Sequence, residues 1–172
     1  MAERAAGRPW EAFVYDEAEL LDDGHFDRWL DLFDDEAVYW LPVDTSRSEP
    51  TGGLNLIYDD RRRLEGRIQR LLGGYSFTEE PISRTSHLIG NVRLVDHEQA
   101  SSLASWIALD PDDVLVTART VVSRLRRGTT DVFPGRCTWI LRPGGPFGYR
   151  IALKRMDLLH ADQPLPALTF LL

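Results

Sequence analysis

The stretch Ser83–Val95, Ser-Arg-Thr-Ser-His-Leu-Ile-Gly-Asn-Val-Arg-Leu-Val, constrains the fold of this 172-residue chain more than any other. Its second half alternates: Leu88, Gly90, Val92 and Leu94 are expected on one face of a strand, and Ile89, Asn91, Arg93 and Val95 on the other. Its first half is polar and brings Arg84 and His87 to the point where the chain enters a sheet. Helical patterns lie upstream and strand-like patterns downstream. That order predicts an α+β fold with one curved antiparallel sheet and helices in its concave face.

Taken in order, residues 1–9 are expected to be a loose arm before a single domain over 10–172. Trp10, Phe13, Val14, Ala18 and Leu21 recur at helical spacing, which predicts a helix over Trp10–Leu21 with Gly24 near its end. Phe26, Trp29, Leu30 and Phe33 predict a second short helix ended by Asp34-Asp35, and Val38–Pro42 a strand. A loop is expected over Ser46–Gly53. A helix is expected over Tyr58–Leu72, with Asp59 and Asp60 in its first turn, Leu64, Ile68, Leu71 and Leu72 buried, and Gly73-Gly74 as its stop. Strands are expected over Thr85–Asp96, Ala100–Leu109, Val114–Arg126, Asp131–Leu141 and Phe147–Leu158, joined by Pro111-Asp112-Asp113, Arg127-Gly128 and Pro143-Gly144-Gly145-Pro146.

Charge narrows the function classes. Twenty basic residues against 27 acidic ones, a net of −7, argue against a nucleic-acid surface, which needs clustered and unopposed Lys and Arg. No apolar run approaches the roughly 20 residues that cross a bilayer, and the N-terminus lacks an apolar signal core, so a cytoplasmic protein without a membrane partner is expected. The single cysteine, Cys137, excludes an internal disulfide and a cysteine-based metal cluster built from this chain alone. His25, His87, His97 and His160 are scattered, with no metal-ligand spacing among them.

Two readings of the polar residues stand side by side. In one, Asp34, Tyr39, Asp59 and His87 meet in a pocket between helices and sheet, where an Asp–His pair with a Tyr can transfer protons. In the other, Asp34 and Asp59 cap helices, Tyr39 packs, and His87 bonds a backbone group. The arginines 61, 62, 63, 67 and 70 can bind an anion, but pairing with the abundant carboxylates is the simpler use. Arg84 differs: its rigid fork in a polar knot suits a carboxylate within the fold or across an interface. The tail is too apolar for a free end, so Leu168, Phe170 and Leu171 are expected to pack, either on the convex side of the chain's own sheet or, by preference, on a neighbouring subunit.

These residues carry a resemblance. Glu17–Asp22, Trp29–Phe33, Tyr39–Pro42, Tyr58–Asp60 with Leu64, Arg67 and Arg70, Pro81–His87 with Asn91–Arg93, Gly135-Arg136, Leu141-Arg142 and the Leu-Thr-Phe-Leu close together resemble the small (β) subunit of bacterial aromatic-ring-hydroxylating dioxygenases, from Tyr15 to Leu172. The resemblance implies a nuclear-transport-factor-like (cystatin-like) cone and a structural subunit without a cofactor. It implies a large catalytic (α) subunit holding a Rieske [2Fe–2S] cluster and mononuclear iron, with three copies of each subunit. It also places Arg84, Asn91 and Arg93 among interface or structural residues. A Rieske centre needs two Cys and two His, and one Cys does not meet that need. Where many members have an Asp three residues after Gly-Arg, this chain has Trp139, and an altered interface contact is expected there. The same cone hosts stand-alone isomerases and dehydratases. The alternative function is therefore a cofactor-free enzyme using His87 with Asp34 or Tyr39, and a homomeric ligand-binding module is a third reading. A pocket holding His87 beside a buried acid would favour the enzyme.

Overall fold

The computed structural model describes residues 8–73, 81–96, 98–99 and 104–172. Helices α1 (Pro9–Asp22), α2 (Phe26–Leu30) and α3 (Arg61–Leu72) pack against a six-stranded sheet of β1 (Phe33–Pro42), β2 (Asn55–Asp60), β3 (Arg84–Val95), β4 (Val114–Arg126), β5 (Thr129–Pro143) and β6 (Tyr149–Leu158). The strand order is β2-β1-β6-β5-β4-β3. All neighbours pair antiparallel except β1 and β6, which run parallel, so the sheet is mixed. The architecture is the α+β cone, with a curved sheet around its N-terminal helices.

The apolar stripe of α1 buries Trp10, Phe13, Val14, Ala18, Leu20 and Leu21, and Gly24, at φ +71°, supplies the left-handed turn that ends the helix. Pro9 is already helical, which shortens the expected arm, and residues 1–7 lie outside the described ones. The second helix is shorter than its apolar spacing suggests. Phe33 belongs to β1 and pairs with Ile151, because the Leu32 carbonyl already accepts the Ile151 N–H (2.7 Å). Pairing with a core strand wins over a further helical turn.

Tyr58, Asp59 and Asp60 lie in β2 rather than in a first helical turn. Asp60 is the N-cap: its backbone is extended and its side chain accepts the Arg63 N–H (2.8 Å). Of the four residues expected buried on α3, Leu64, Ile68 and Leu71 are, whereas Leu72 is exposed. Gly73 caps α3 with right-handed helical geometry, and Gly74 lies outside the described residues.

Two departures shape the outer surface. The expected strand over Ala100–Leu109 is not formed: residues 104–109 are turn and coil, and 100–103 lie outside the described residues. This segment lays Ala104, Trp106, Ile107 and Leu109 over Trp40, Leu115, Ile140 and Leu153 on the face away from the helices. Its apolar residues are satisfied by covering a sheet, without a ladder of their own. In β3, the register shifts between Gly90 and Arg93, at Asn91, whose φ is +54°. One extra residue reverses which side chains face inward. Ile89 and Val92 therefore both pack in the main core, while Leu88 is 71% exposed and Leu94 54% exposed, against the single apolar face expected. The remaining strands begin or end within a few residues of expectation, and Phe147 falls in the turn before β6. Between β4 and β5, Arg127 and Gly128 both have positive φ, as a two-residue hairpin of the twist-matching type requires.

Candidate functional site

The cone interior is where this fold can hold chemistry, and three polar sets meet there. Glu17 lies on the apolar stripe of α1 and Lys154 on β6, and both side chains are almost wholly buried. Lys154 Nζ donates to Glu17 Oε1 (2.6 Å), Trp29 Nε1 donates to the same oxygen, and the ammonium lies 5.4 Å from the Trp29 ring centre. The pair is dry, and each charge answers the other.

Second, Tyr39 on β1 holds the end of the tail. Its hydroxyl donates to the Leu172 carbonyl (3.2 Å) and accepts the Leu172 N–H (3.0 Å). Burial pushes the Tyr39 hydroxyl well above its ordinary range, outweighing that hydrogen bond and the charge of Arg67. The tail is anchored by Arg124, which donates to the Ala167 carbonyl (2.9 Å) and lies over the Phe170 ring (4.7 Å), and by Arg67, which reaches the Leu168 carbonyl (3.4 Å). Phe170, Leu171 and Leu172 are buried in the main core and Leu168 is partly buried against it. The tail thus closes its own cone; it takes neither the convex sheet face nor an exposed position awaiting a neighbour. The helices leave the cone mouth unfilled, because α2 has only five residues and Tyr58–Asp60 is strand.

Third, His87 does meet an acid. Its Nδ1 lies 2.6 Å from Asp22 Oδ1, and its backbone N–H donates to Asp22 Oδ2 (2.8 Å). The partner is Asp22 at the end of α1, not Asp34 and not a backbone group. Burial raises the Asp22 carboxyl, but hydrogen bonds from His87, its charge and Thr85 outweigh that and hold it below the ordinary range. His87 Nε2 is buried and, among the described residues, has no hydrogen-bond partner.

An Asp–His pair with a free ring nitrogen is the geometry of a general base. What it lacks is room. The void lined by Glu17, His87, Trp139, Lys154 and Leu172 measures about 10 Å³, room for about one water at most and far below the roughly 300–1,000 Å³ of a small-molecule site. Of the other residues of the enzymatic reading, Asp34 and Asp59 are elsewhere. Asp34 faces Arg142 (3.4 Å) and Arg150 (4.0 Å), and Asp59 pairs with Arg67 (2.7 Å); neither caps a helix. Tyr39 is occupied by the tail. Cys137 is buried, and burial raises its thiol far above the ordinary range, so it is inert as a nucleophile. Trp139 is also in the core, so the departure at that position touches the interior and not an outer contact.

The remaining candidates lie outside. Arg84, Asn91 and Arg93 are exposed, and among the described residues Arg84 meets no carboxylate. On α3, among the described residues, Arg67 alone has a carboxylate partner; Arg61 reaches the Leu30 (3.0 Å) and Phe33 carbonyls and Arg63 the Tyr58 carbonyl (3.3 Å). Among the described residues there is no group of three His, Cys, Asp or Glu side chains placed to hold a metal ion, and His97 lies outside them. No described helix is long and apolar enough to cross a membrane.

Known proteins agree with this geometry. The chain is 32% identical over 159 residues to the biphenyl 2,3-dioxygenase subunit beta of Rhodococcus jostii, covering 87% of this chain and 79% of that one. It is 41% identical over 93 residues to the 2-halobenzoate 1,2-dioxygenase small subunit of Burkholderia cepacia, a match spanning 51% of this chain and just over half, 56%, of that relative's length. Its fold superposes on the beta subunit of the benzoate 1,2-dioxygenase of Burkholderia mallei with a TM-score of 0.67, at 28% identity and over 94% of both chains. The family model described as ring hydroxylating beta subunit matches residues 16–162, and the chain belongs to that family.

Proposed function

We propose that this chain is the non-catalytic structural subunit of an aromatic-ring-hydroxylating dioxygenase, supporting the assembly and stability of a large subunit. That partner would hold the Rieske [2Fe–2S] cluster and the mononuclear iron, in a cytoplasmic assembly with three copies of each chain. Arg84, Asn91 and Arg93 would lie at or near subunit contacts, and Leu168, Phe170 and Leu171 would brace the cone. The observation that carries this reading is the filled interior: in a member of a dioxygenase subunit family, the void beside His87 and Glu17 measures about 10 Å³. The residue inventory supports it, since a single cysteine does not fit a Rieske ligand set. His87 beside Asp22 favours the isomerase or dehydratase reading in kind of residue only; the cavity gives a substrate nowhere to sit.

The test is tag-free co-expression with a Rieske-type large subunit encoded beside this chain. The expected result is a stable complex that hydroxylates an aromatic substrate, whereas the isolated chain turns nothing over. A large subunit that is equally soluble, assembled and active without this chain would contradict the proposal.

A further inference from the structure

Two polar atoms of the cone interior stay unanswered, and they face the same space. Asp22 holds His87 at two points, the ring Nδ1 (2.6 Å) and the backbone N–H (2.8 Å). That clasp fixes the ring and turns Nε2, on its opposite edge, away from the carboxylate. The His87 side chain is only 4% exposed, and among the described residues Nε2 has no hydrogen-bond partner. Neither has the indole Nε1 of Trp139, a residue buried on β5. Both side chains line the void of about 10 Å³, and Thr120 on β4, the strand between them, lines it too. The Thr120 hydroxyl meets the Met156 sulfur at 3.4 Å, a weak acceptor, so its oxygen is still open to a donor. Glu17 and Lys154 reach the void as well, but they are engaged with each other (2.6 Å).

A buried polar atom without a partner carries the full cost of its lost hydration, and native interiors keep few of them. Cavities that stay dry are lined by apolar groups, whereas a polar one holds a water when it offers about 10–15 Å³ and two to four partners. This void meets the lower limit of size and supplies His87 Nε2, Trp139 Nε1 and Thr120 Oγ1. Water also fits their chemistry. The indole only donates, the hydroxyl does either, and the ring nitrogen accepts when bare and donates when protonated; a water answers each. The Lys154 ammonium on the same wall opposes a metal cation, and the Glu17 carboxylate opposes an anion. We propose that the void is a built site for one long-lived water, bound by His87 Nε2 and by Trp139 Nε1 or Thr120 Oγ1. The Asp22–His87 clasp then continues through that water from the end of α1 and from β3 into the middle of the sheet. His87 Nε2 holds structural solvent there and has no substrate to serve. The site belongs to the isolated chain and does not depend on a large subunit.

The experiment is a crystal structure of the full-length isolated chain at a resolution that shows ordered water, with NMR of the same protein in solution. One ordered water is expected within hydrogen-bond distance of His87 Nε2 and of Trp139 Nε1 or Thr120 Oγ1. In solution the His87 ring protons should show a nuclear Overhauser effect to water, of the sign that long-lived bound water gives. His87→Phe keeps a ring in place and removes its nitrogens, so the ordered water should be lost. A dry void in the native chain, a water beyond hydrogen-bond distance of Nε2, or a ring nitrogen bonded directly to a protein group would overturn the proposal. So would a folded His87→Phe chain that keeps the water in the same place. Should that variant fail to fold, the native structure and its Overhauser effect decide alone, and the proposed function stands under either result.

Discussion

The two faces of the sheet have been finished by opposite means. Inside, among the described residues, α1, α3 and the tail fill the cone, and Glu17 meets Lys154 and Asp22 meets His87. Outside, part of the sheet is roofed by residues 104–109, and elsewhere, among the described residues, Leu88, Arg93, Arg119 and Arg136 face solvent. Substitutions inside should therefore be felt in the stability of the isolated chain. Those on the open outer half should be felt only when another chain is present. That separation is what distinguishes a structural subunit from a small enzyme, whose cavity would be the least stable part of its interior.

The largest effect is expected at the tail. Burial of Phe170, Leu171 and Leu172 contributes about 1.5–3 kcal/mol each by transfer estimates, against about 5–15 kcal/mol for a whole domain. Deleting residues 165–172 should leave a monomer that is unfolded or melts far lower, read by circular dichroism. A truncated chain that melts normally would show that the interior does not need its plug.

Next comes the buried ion pair. Glu17→Gln or Lys154→Met alone strands a charge and should cost about 3–5 kcal/mol, whereas removing both charges together with an apolar pair of similar volume should be close to neutral. Denaturant titration of the two singles and the double separates these outcomes, and equal losses in all three would contradict the account of the interior.

These inner contacts were only partly legible beforehand. The helical stripe of α1 was plain, and Glu17 sits on it four residues after Phe13 and four before Leu21. An acid in that position is a signal for a buried partner. The partner itself, 137 residues away on a strand that also carries Arg150, Arg155 and Asp157, leaves no trace in local pattern. Asp22 and His87, 65 residues apart, are hidden in the same way. The facing of β3 was misread because a bulge at Asn91 is invisible to a strict period of two. Residues 104–109 were misread because an apolar run covering a sheet looks like one pairing in it. The tail's burial was legible from its composition, but its location was not, since α2 and β2 both look more helical than they are.

A smaller effect should appear with pH. The folded state holds the Asp22 carboxyl below its unfolded value, so its contribution is present above the ordinary Asp pKa of about 3.9 and is lost as pH falls through the lower folded value. Asp22→Asn should lower stability near neutral pH and flatten the acid limb of the stability profile. A profile parallel to that of the native chain would remove Asp22–His87 from the list of inner contacts.

The smallest effects belong to the open outer half. Leu88→Ala and Arg84→Lys should change the melting of the isolated chain by no more than about 0.5 kcal/mol, as exposed positions do. Either can still weaken assembly. For Arg84, loss of subunit affinity without loss of stability marks an interface carboxylate; no change in either would leave it without a role.

The most direct measurement of the central claim uses His87 in the assembled enzyme. His87→Asn, co-expressed with the large subunit, should lower the yield or thermal stability of the complex. Turnover per intact complex, counted by its iron and [2Fe–2S] content, should match that of the native complex. A fully assembled, equally stable His87→Asn complex that has lost its turnover would place chemistry in this cone and contradict the account.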